Sequence, residues 1–296
     1  MKLVFGTGGR FGRFSLSDAE KLIQKSLELG INKFDTGFSY GNYKSQPLLA
    51  KCLEKNIKKN REEIILSTKC FPISAEYINY CVTKSIETLK CTYINYFHLW
   101  GASVEDLNNK DILDKIKFLL KEKKVKVFSV TTQDLSTIKK ISTGNFDEIR
   151  ALMLDYNLLK LNRLPYIKQC KKNDIEIFAG TSLCQGLLID SIFKIFLRSR
   201  SPFYLGRACL KKETRSYLKA ASKTRKYLKK NYPNTHCDIP LSFVLNEKLI
   251  DHVPIGMLNL ESIGKNLYLL NNPVKKSITN EVSLWTSKHC QVKDVV

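Results

Sequence analysis

Short β-rich runs and amphipathic runs with helical spacing alternate along almost the whole chain, and this alternation limits the folds that the chain can adopt. It predicts eight strands, each followed by a helix: KLVFG, INKFD, EIILSTKC, YINYFHLW, VKVFSVTT, IRALMLDYN, IEIFAGTSL and HVPIG. Regular alternation of strands and helices implies a parallel sheet. Eight such units within 296 residues fit a closed (β/α)8 TIM barrel that forms a single domain.

The competing fold is a doubly wound open sheet, which usually carries a glycine-rich phosphate loop after its first strand. The run GTGGRFG follows the first strand here, but it lacks the G-x-G-x-x-G spacing. We therefore assign residues 1–272 to the barrel and residues 273–296 to a tail that packs on it, chiefly through Trp285, or is partly loose. The first long helix is predicted to begin at Ser17, with Glu20 completing a capping box, and the stretch 189–248 is predicted to be mostly helical.

Four polar residues lie at or just after the ends of three consecutive predicted strands. Asp35 ends the second strand and Tyr40 follows it, Lys69 lies near the end of the third strand, and His98 lies near the end of the fourth. In a barrel the carboxyl ends of the strands meet at one rim, where catalysis takes place. Each residue alone has an ordinary structural explanation, but together at matching strand ends they indicate an active site.

This set of side chains suits the protonation of a carbonyl oxygen. Tyrosine has an ordinary pKa near 10, and a nearby ammonium such as Lys69 favours the phenolate and makes the phenol a better acid. Asp35 can balance the charge of Lys69, and His98 can orient the carbonyl. Because no side chain in the set can attack the carbon, a hydride donor is needed, which implies a nicotinamide cofactor.

The motifs FDTGFSYGN, LSTKC and YFHLWG resemble the Asp, Tyr, Lys and His motifs of the aldo/keto reductase superfamily, and the similarity continues to about residue 270. The resemblance implies a (β/α)8 barrel, a small-molecule carbonyl substrate, and NADPH as cofactor, with NADH as the other possibility. It makes Tyr40 the general acid, Lys69 and Asp35 the pair that tunes it, and His98 the residue that orients the carbonyl. Its implied cofactor-binding residues are Gly6, Thr7, Thr131, Thr132, Tyr156, Leu183, Gln185, Gly186, Gly256, Ser262, Lys265 and Asn266.

The sequence departs from this family at the positions that hold the cofactor. Thr132 replaces an asparagine, and Met153 replaces a glutamine. Gly180 stands where many members carry a large side chain, and Ser262 stands where NADPH-specific members carry an arginine. The alternative interpretation is therefore a catalytically weak, reductase-like barrel that acts as a cofactor-sensing binding module. The segments SLCQGLL and IGMLNLESIGKNL resemble a branch of the family that is often found in bacterial surface-sugar pathways. A sugar-derived carbonyl is therefore one candidate substrate.

The net charge of +21 raises the possibility of a nucleic-acid partner. The lysines are spread along the chain without interleaved aromatic residues, so we do not expect nucleic-acid binding, and we expect the field to attract small anions instead. The nine cysteines include no C-x-x-C pair, and we predict free thiols and no metal site. We find no signal peptide or membrane-spanning run and expect a soluble, cytoplasmic protein. No sequence pattern indicates the oligomeric state.

Overall fold

A computed structural model of the chain describes residues 1–199, 206, 212–290 and 292. Eight parallel strands are ordered β7-β6-β5-β4-β3-β2-β1-β8. They are β1 (Leu3–Gly6), β2 (Lys33–Asp35), β3 (Ile65–Cys70), β4 (Ile94–Trp100), β5 (Val125–Thr131), β6 (Ile149–Asp155), β7 (Glu176–Gly180) and β8 (Val253–Gly256). The barrel closes beside β8, where the Ala179 N–H donates to the His252 carbonyl (2.8 Å) and the His252 N–H donates to the Ile177 carbonyl (3.0 Å). The predicted single-domain (β/α)8 barrel is confirmed.

Helices cover the outside of the barrel. The described α-helices are Gly8–Phe11, Leu16–Glu28, Tyr40–Tyr43, Ser45–Lys59, Ala75–Leu89, Val104–Asn108, Lys110–Lys121, Leu135–Ser142, Leu164–Lys172, Ile192–Ser199, Lys212–Asn231, Ile239–Leu245, Leu260–Asn271 and Lys276–His289, and the 3-10 turns are Arg61–Glu63, Leu161–Arg163 and Cys184–Gly186. Side chains that alternate outward from the strands pack against these helices in one continuous apolar core, as the period-two pattern of a strand requires.

The inside of the barrel is filled by aromatic rings. Phe178 lies at the centre, with its ring centroid 4.9 Å from that of His98, 5.0 Å from that of Tyr96 and 4.1 Å from that of His252. His252 Nε2 contacts Glu176 Oε2 at 2.7 Å. The barrel interior is therefore a packed core, and His98 lies on top of it.

The predicted start of the first long helix was wrong. The helix Leu16–Glu28 is capped by Ser15, whose side chain accepts a hydrogen bond from the Asp18 backbone N–H. Ser15 has an extended backbone (ψ 157°), as an N-cap residue requires, whereas Ser17 already lies within the first turn. Two serines stand two positions apart in the sequence, and only the backbone geometry distinguishes them.

The C-terminal segment forms a helix that packs on the barrel's outer helices. In Lys276–His289, Val282 is fully buried and Trp285 stacks on Tyr227 with ring centroids 3.8 Å apart and planes 10° apart. Lys223 Nζ also donates to the His289 carbonyl at 3.1 Å.

The cysteines in the described part of the chain are free thiols, as predicted, and Cys209 lies outside the described residues. Within the same part of the chain, no helix is long and apolar enough to cross a membrane.

Candidate active site

Strand pairing brings the polar strand-end residues together at the carboxyl rim of the barrel. Asp35 on β2 pairs with Ser67 on β3, and Lys69 on β3 pairs with His98 on β4. Ser67 and Lys69 are two residues apart, so their side chains lie on the same face of the strand. That face points into the barrel, whereas Thr68 and Cys70 point outward to the helices.

Lys69 and Asp35 form a buried ion pair at the centre of the site. Lys69 Nζ lies 2.8 Å from both Asp35 Oδ1 and Asp35 Oδ2 and donates to the Thr36 carbonyl at 2.6 Å. The side chains of Lys69 and Asp35 are only 2% and 8% exposed. Burial alone lowers the pKa of the Lys69 ammonium, but the charge of Asp35 and the neighbouring Tyr40 outweigh burial and raise it above its ordinary value. Lys69 is therefore a permanent cation.

Tyr40 places its phenol beside this cation. Lys69 Nζ lies 4.9 Å from the centroid of the Tyr40 ring, and Trp100 meets the same ring edge-on with centroids 5.7 Å apart. Burial raises the pKa of the Tyr40 phenol, and the Lys69 ammonium opposes this shift without reversing it. Lys69 thus lowers the pKa of Tyr40, as the sequence indicated. The net shift is nevertheless upward, because burial has the larger effect.

The loop that holds Tyr40 has an unusual backbone. Gly41, Asn42 and Tyr43 have φ values of 61°, 55° and 64°, which is the left-handed region that residues with a side chain rarely adopt. A Cβ on Gly41 would lie 2.6 Å from Ser45 Oγ and 3.0 Å from the Gly9 carbonyl oxygen. This position therefore requires glycine, which explains one of the two glycines in FDTGFSYGN.

His98 is fully buried and is neutral. Burial holds its pKa well below the ordinary value, and the charges of Lys69 and His252 lower it further. His98 Nε2 lies 3.9 Å from Asp35 Oδ1, and neither ring nitrogen has a hydrogen-bond partner among the residues that the structure describes. An unpaired buried nitrogen is costly, but His98 is not among the residues that line the cavities described below, so its role in orienting a carbonyl stays a prediction.

A cavity of about 730 Å³ opens above these residues and shares a wall with a second cavity of about 400 Å³. Besides Asp35, Tyr40 and Lys69, the larger cavity is lined by five of the predicted cofactor residues: Gly6, Thr7, Thr131, Gln185 and Gly256. The second is lined by Leu183, Gln185, Gly186, Gly256 and Ser262. The buried Thr131 hydroxyl has no hydrogen-bond partner within the described residues.

Four predicted cofactor residues line neither cavity: Thr132, Tyr156, Lys265 and Asn266. The Thr132 hydroxyl accepts a hydrogen bond from the Asp134 N–H at 3.2 Å. Tyr156 stacks on Phe243 with ring centroids 5.3 Å apart. Lys265 Nζ lies 2.8 Å from Asp238 Oδ1, and Asn266 is buried. The side chains of the first three make structural contacts, and a role of all four residues in binding a cofactor stays a prediction.

The sequence analysis missed several residues that line the larger cavity, among them Arg10, Trp100, Gln133, Asp155 and Thr181. Trp100 is two residues beyond His98 on β4, and Asp155 is the last residue of β6. The same strand-end rule that found Lys69 and His98 would have found both.

The Asp155 carboxyl group lies beside Gly180, the position where many family members carry a large side chain. A Cβ on Gly180 would lie 3.6 Å from Asp155 Oδ1 and 3.5 Å from the Met153 side chain. Burial raises the pKa of the Asp155 carboxyl, while a hydrogen bond from Thr181 and the charge of Lys160 oppose the shift. The wall of the cavity at Gly180 therefore carries a carboxyl group, and a Cβ there would also lie 3.3 Å from the Leu154 carbonyl oxygen.

A parallel eight-stranded barrel with an Asp, Tyr, Lys and His cluster at the carboxyl rim of its strands defines a barrel enzyme. The chain belongs to the aldo/keto reductase family, whose model matches residues 2–283, and it is an oxidoreductase.

Relatives and solved structures agree with this family. The chain is 25% identical to L-galactose dehydrogenase of Arabidopsis thaliana over 276 residues, covering 88% of this chain and 80% of that protein. It is 19% identical to an aldo-keto reductase of Bacillus halodurans in its holo form, with a TM-score of 0.75 and coverage of 100% and 93%. It is 13% identical to an aldo/keto reductase of Klebsiella pneumoniae in complex with NADP and acetate, with a TM-score of 0.72 and coverage of 100% and 94%.

Proposed function

We propose that the protein reduces an aldehyde or a ketone to an alcohol, with Tyr40 as the proton donor and NADPH as the source of the hydride. One observation carries the proposal: the Lys69 ammonium lies between the Asp35 carboxylate, at 2.8 Å, and the Tyr40 ring, at 4.9 Å, on the wall of the larger cavity. This arrangement gives a half-buried phenol a fixed positive neighbour just where a carbonyl oxygen can enter.

Each of the four residues has a distinct part in the proposed reaction. Tyr40 is protonated at neutral pH, since a phenol has an ordinary pKa near 10 and burial raises the pKa further, so it holds a proton for the carbonyl oxygen. Lys69 stabilises the phenolate that remains after this proton is transferred. Asp35 fixes Lys69 in place, and neutral His98 can donate a hydrogen bond from one ring nitrogen to the substrate oxygen.

The residues around the two cavities fit a nicotinamide cofactor, which when bound supplies a hydride to the carbonyl carbon. The Thr131 hydroxyl, which lacks a hydrogen-bond partner in the described part of the chain, can bond a polar group of the cofactor. Gly6 and Gly256 leave the backbone open at the wall that both strands share, and Gln185 lines both cavities. The fold neighbour from Klebsiella pneumoniae, which is a complex with NADP, supports the same cofactor class here; NADH is the other possibility.

A sugar-derived carbonyl is one candidate substrate within this proposal. The support is the 25% identity to a plant L-galactose dehydrogenase over 88% of the chain. The acidic wall formed by Asp155 can accept hydrogen bonds from substrate hydroxyl groups.

A second candidate is a cofactor-sensing barrel with little turnover. It is favoured by one observation: the Thr132 hydroxyl, at the position of the family's carboxamide-binding asparagine, is occupied by the Asp134 N–H at 3.2 Å. Binding of NADPH without turnover of any aldehyde would support this candidate over the first.

The variant Tyr40→Phe tests the proposal because it removes only the hydroxyl. We expect turnover of a generic aldehyde to fall about 10²–10⁴-fold, the usual contribution of a general acid, while the NADPH dissociation constant from fluorescence titration stays unchanged. Tyr43→Phe, at an exposed position of the same loop, is the matched control and should keep full turnover. A loss of less than tenfold in Tyr40→Phe would show that Tyr40 is not the acid.

A further inference from the structure

We propose that Ser67 is a positioning residue that acts through Asp35 and Lys69 to control how readily Tyr40 gives up its proton. Ser67 Oγ donates a hydrogen bond to Asp35 Oδ1 at 2.7 Å. The hydroxyl is buried with the residue 3% exposed, and Ser67 pairs directly with Asp35 across the sheet. The inference rests on the proposed role of Tyr40 as the acid.

Ser67 and Lys69 share one oxygen of the carboxylate. Asp35 Oδ1 accepts from Ser67 Oγ at 2.7 Å and from Lys69 Nζ at 2.8 Å, and Asp35 Oδ2 accepts from Lys69 Nζ at 2.8 Å. A donor to a carboxylate oxygen disperses its negative charge. With Ser67 in place, less of the Lys69 charge is neutralised by Asp35.

Tyr40 experiences both members of the ion pair. The Lys69 charge lowers the pKa of the phenol and the Asp35 charge raises it, on top of the larger effect of burial. A hydroxyl that weakens the influence of Asp35 therefore favours release of the proton from Tyr40. Without that hydroxyl, Asp35 acts at full strength and the phenol becomes a weaker acid.

Other titratable groups face this cluster from the neighbouring elements. His98 reaches it from β4, Arg10 lines the cavity after β1, and Asp155 lines it from β6. The Ser67 hydroxyl donates its one proton to Asp35 rather than to any of these groups, so a substitution at Ser67 acts on Tyr40 through the ion pair.

Thr68, the next residue on β3, provides a matched comparison. Its hydroxyl is also buried and donates a hydrogen bond of 2.7 Å, but to Gln46 Oε1 on the outer face of the strand. The two hydroxyls thus have similar structural value, and only that of Ser67 touches the carboxylate beside Lys69.

The experiment compares Ser67→Ala, Ser67→Thr and Ser67→Val with the wild type and with Thr68→Val. Threonine and valine have nearly the same shape and differ in the hydroxyl. The measurement is the pH profile of kcat/KM for reduction of a generic aldehyde with NADPH. The basic limb of this profile reports loss of the acid's proton.

We expect the basic limb to move to higher pH by about half a unit in Ser67→Ala and Ser67→Val. The shift is small because only part of a change in the charge distribution of Asp35 reaches the phenol. The value of kcat should fall a few-fold in both variants. Ser67→Thr should stay near the wild-type limb, and Thr68→Val should not move it. The inference is overturned if Ser67→Val and Ser67→Thr have the same limb, or if Thr68→Val shifts it equally.

A second measurement does not depend on turnover. The ultraviolet difference spectrum of ionising tyrosine, recorded without substrate and referenced to the same variant carrying Tyr40→Phe, isolates the titration of Tyr40. An upward shift in Ser67→Val relative to Ser67→Thr supports the positioning role even if the wild type reduces no aldehyde, in which case only the proposed function fails. Equal titrations in the two variants overturn the positioning role whatever the activity.

Discussion

Gly37 leaves no room for a side chain beside the proposed acid. A Cβ at position 37 would lie 2.9–3.0 Å from three atoms of the Tyr40 ring, which is closer than a real Cβ approaches. In Gly37→Ala the Tyr40 ring must therefore shift from its place beside Lys69, although no group with a chemical role is removed. A displacement of about 1 Å can cost about 10²-fold, so we expect kcat to fall about 10–100-fold while NADPH binding is retained.

The control for this prediction is Gly264→Ala. A Cβ at Gly264 meets no atom within 4 Å, and this exposed helical position should gain up to about 1 kcal/mol of stability on the change to alanine. Turnover should stay at the wild-type level. If Gly37→Ala is equally active, the position of the Tyr40 ring is not set by this contact.

His98 predicts how the stability of the protein depends on pH. Burial, Lys69 and His252 hold the pKa of His98 well below 6.5 in the folded protein, whereas in the unfolded chain it regains its ordinary value of about 6.5. Below pH 6.5 the unfolded chain therefore binds a proton that the folded protein does not. The free energy of unfolding should decrease as the pH falls below 6.5, by up to about 1.4 kcal/mol per pH unit from this one group.

Urea unfolding of wild type and His98→Asn at pH 7, 6 and 5 measures this effect. The variant should lose stability less steeply between pH 6 and pH 5 than the wild type does. His289→Asn, at an exposed histidine, should keep the wild-type slope. Equal slopes for wild type and His98→Asn would mean that His98 takes up a proton in the folded state.

At the scale of elements, the strands were predictable because a parallel strand buried on both faces leaves a strong β-rich signal. Asp35, Lys69 and His98 could be placed from that signal alone, since the ends of neighbouring parallel strands meet. Residues outside the strands were harder to place. The Thr132 hydroxyl accepts from the Asp134 N–H, and Lys265 pairs with Asp238; both contacts depend on side-chain geometry that a sequence pattern does not encode.

Trp285 is one of the contacts that attach the C-terminal helix Lys276–His289 to the barrel's outer helices. This ring stacks on Tyr227 with centroids 3.8 Å apart and planes 10° apart, and it also stacks on His289. Trp285→Ala removes most of that contact, and we expect a loss of about 2 kcal/mol, below the 3–5 kcal/mol typical of a fully buried ring. Urea unfolding measures the loss.

Leu284→Ala is the control, because this neighbouring side chain is 63% exposed. Its effect should stay within about 0.5 kcal/mol, as for most surface substitutions. If Leu284→Ala lowered the free energy of unfolding as much as Trp285→Ala, the helix would pack through the face that carries Leu284.

At the scale of the whole molecule, the positive charge is less evenly spread than the sequence suggested. The helix Lys212–Asn231 carries eight Lys and Arg residues and one Glu. Lys212, Lys219, Lys223, Lys226 and Lys230 are all exposed and recur at spacings of three or four residues or their sum, so they form a ridge along one side of the helix. A field of this kind attracts anions, and it is screened by salt with a Debye length of about 10 Å at 0.1 M.

Ser262 and Lys265, the two predicted phosphate contacts, give little selectivity for the extra phosphate of NADPH, and the arginine that lines the second cavity is Arg10. Ser262 lies in the first turn of the helix Leu260–Asn271, and a helix N-terminus favours anions. Its hydroxyl, however, donates to the Asn259 carbonyl at 2.8 Å, and Lys265 is paired with Asp238 at 2.8 Å. Neither supplies the fork of donors with which an arginine binds a phosphate.

We therefore predict that NADPH binds better than NADH by only about tenfold, or about 1.4 kcal/mol, and that this preference comes largely from the overall field. Fluorescence titration of both cofactors at low and high ionic strength should show the gap shrinking as salt is added. Ser262→Arg should widen the gap and make it less sensitive to salt, since a bidentate contact is screened less than a distant charge. Ser216→Arg adds the same charge at an exposed site on the basic helix and should leave the gap nearly unchanged. Tighter binding of NADH at low salt, or equal effects of the two arginines, would show that the phosphate is not bound near Ser262.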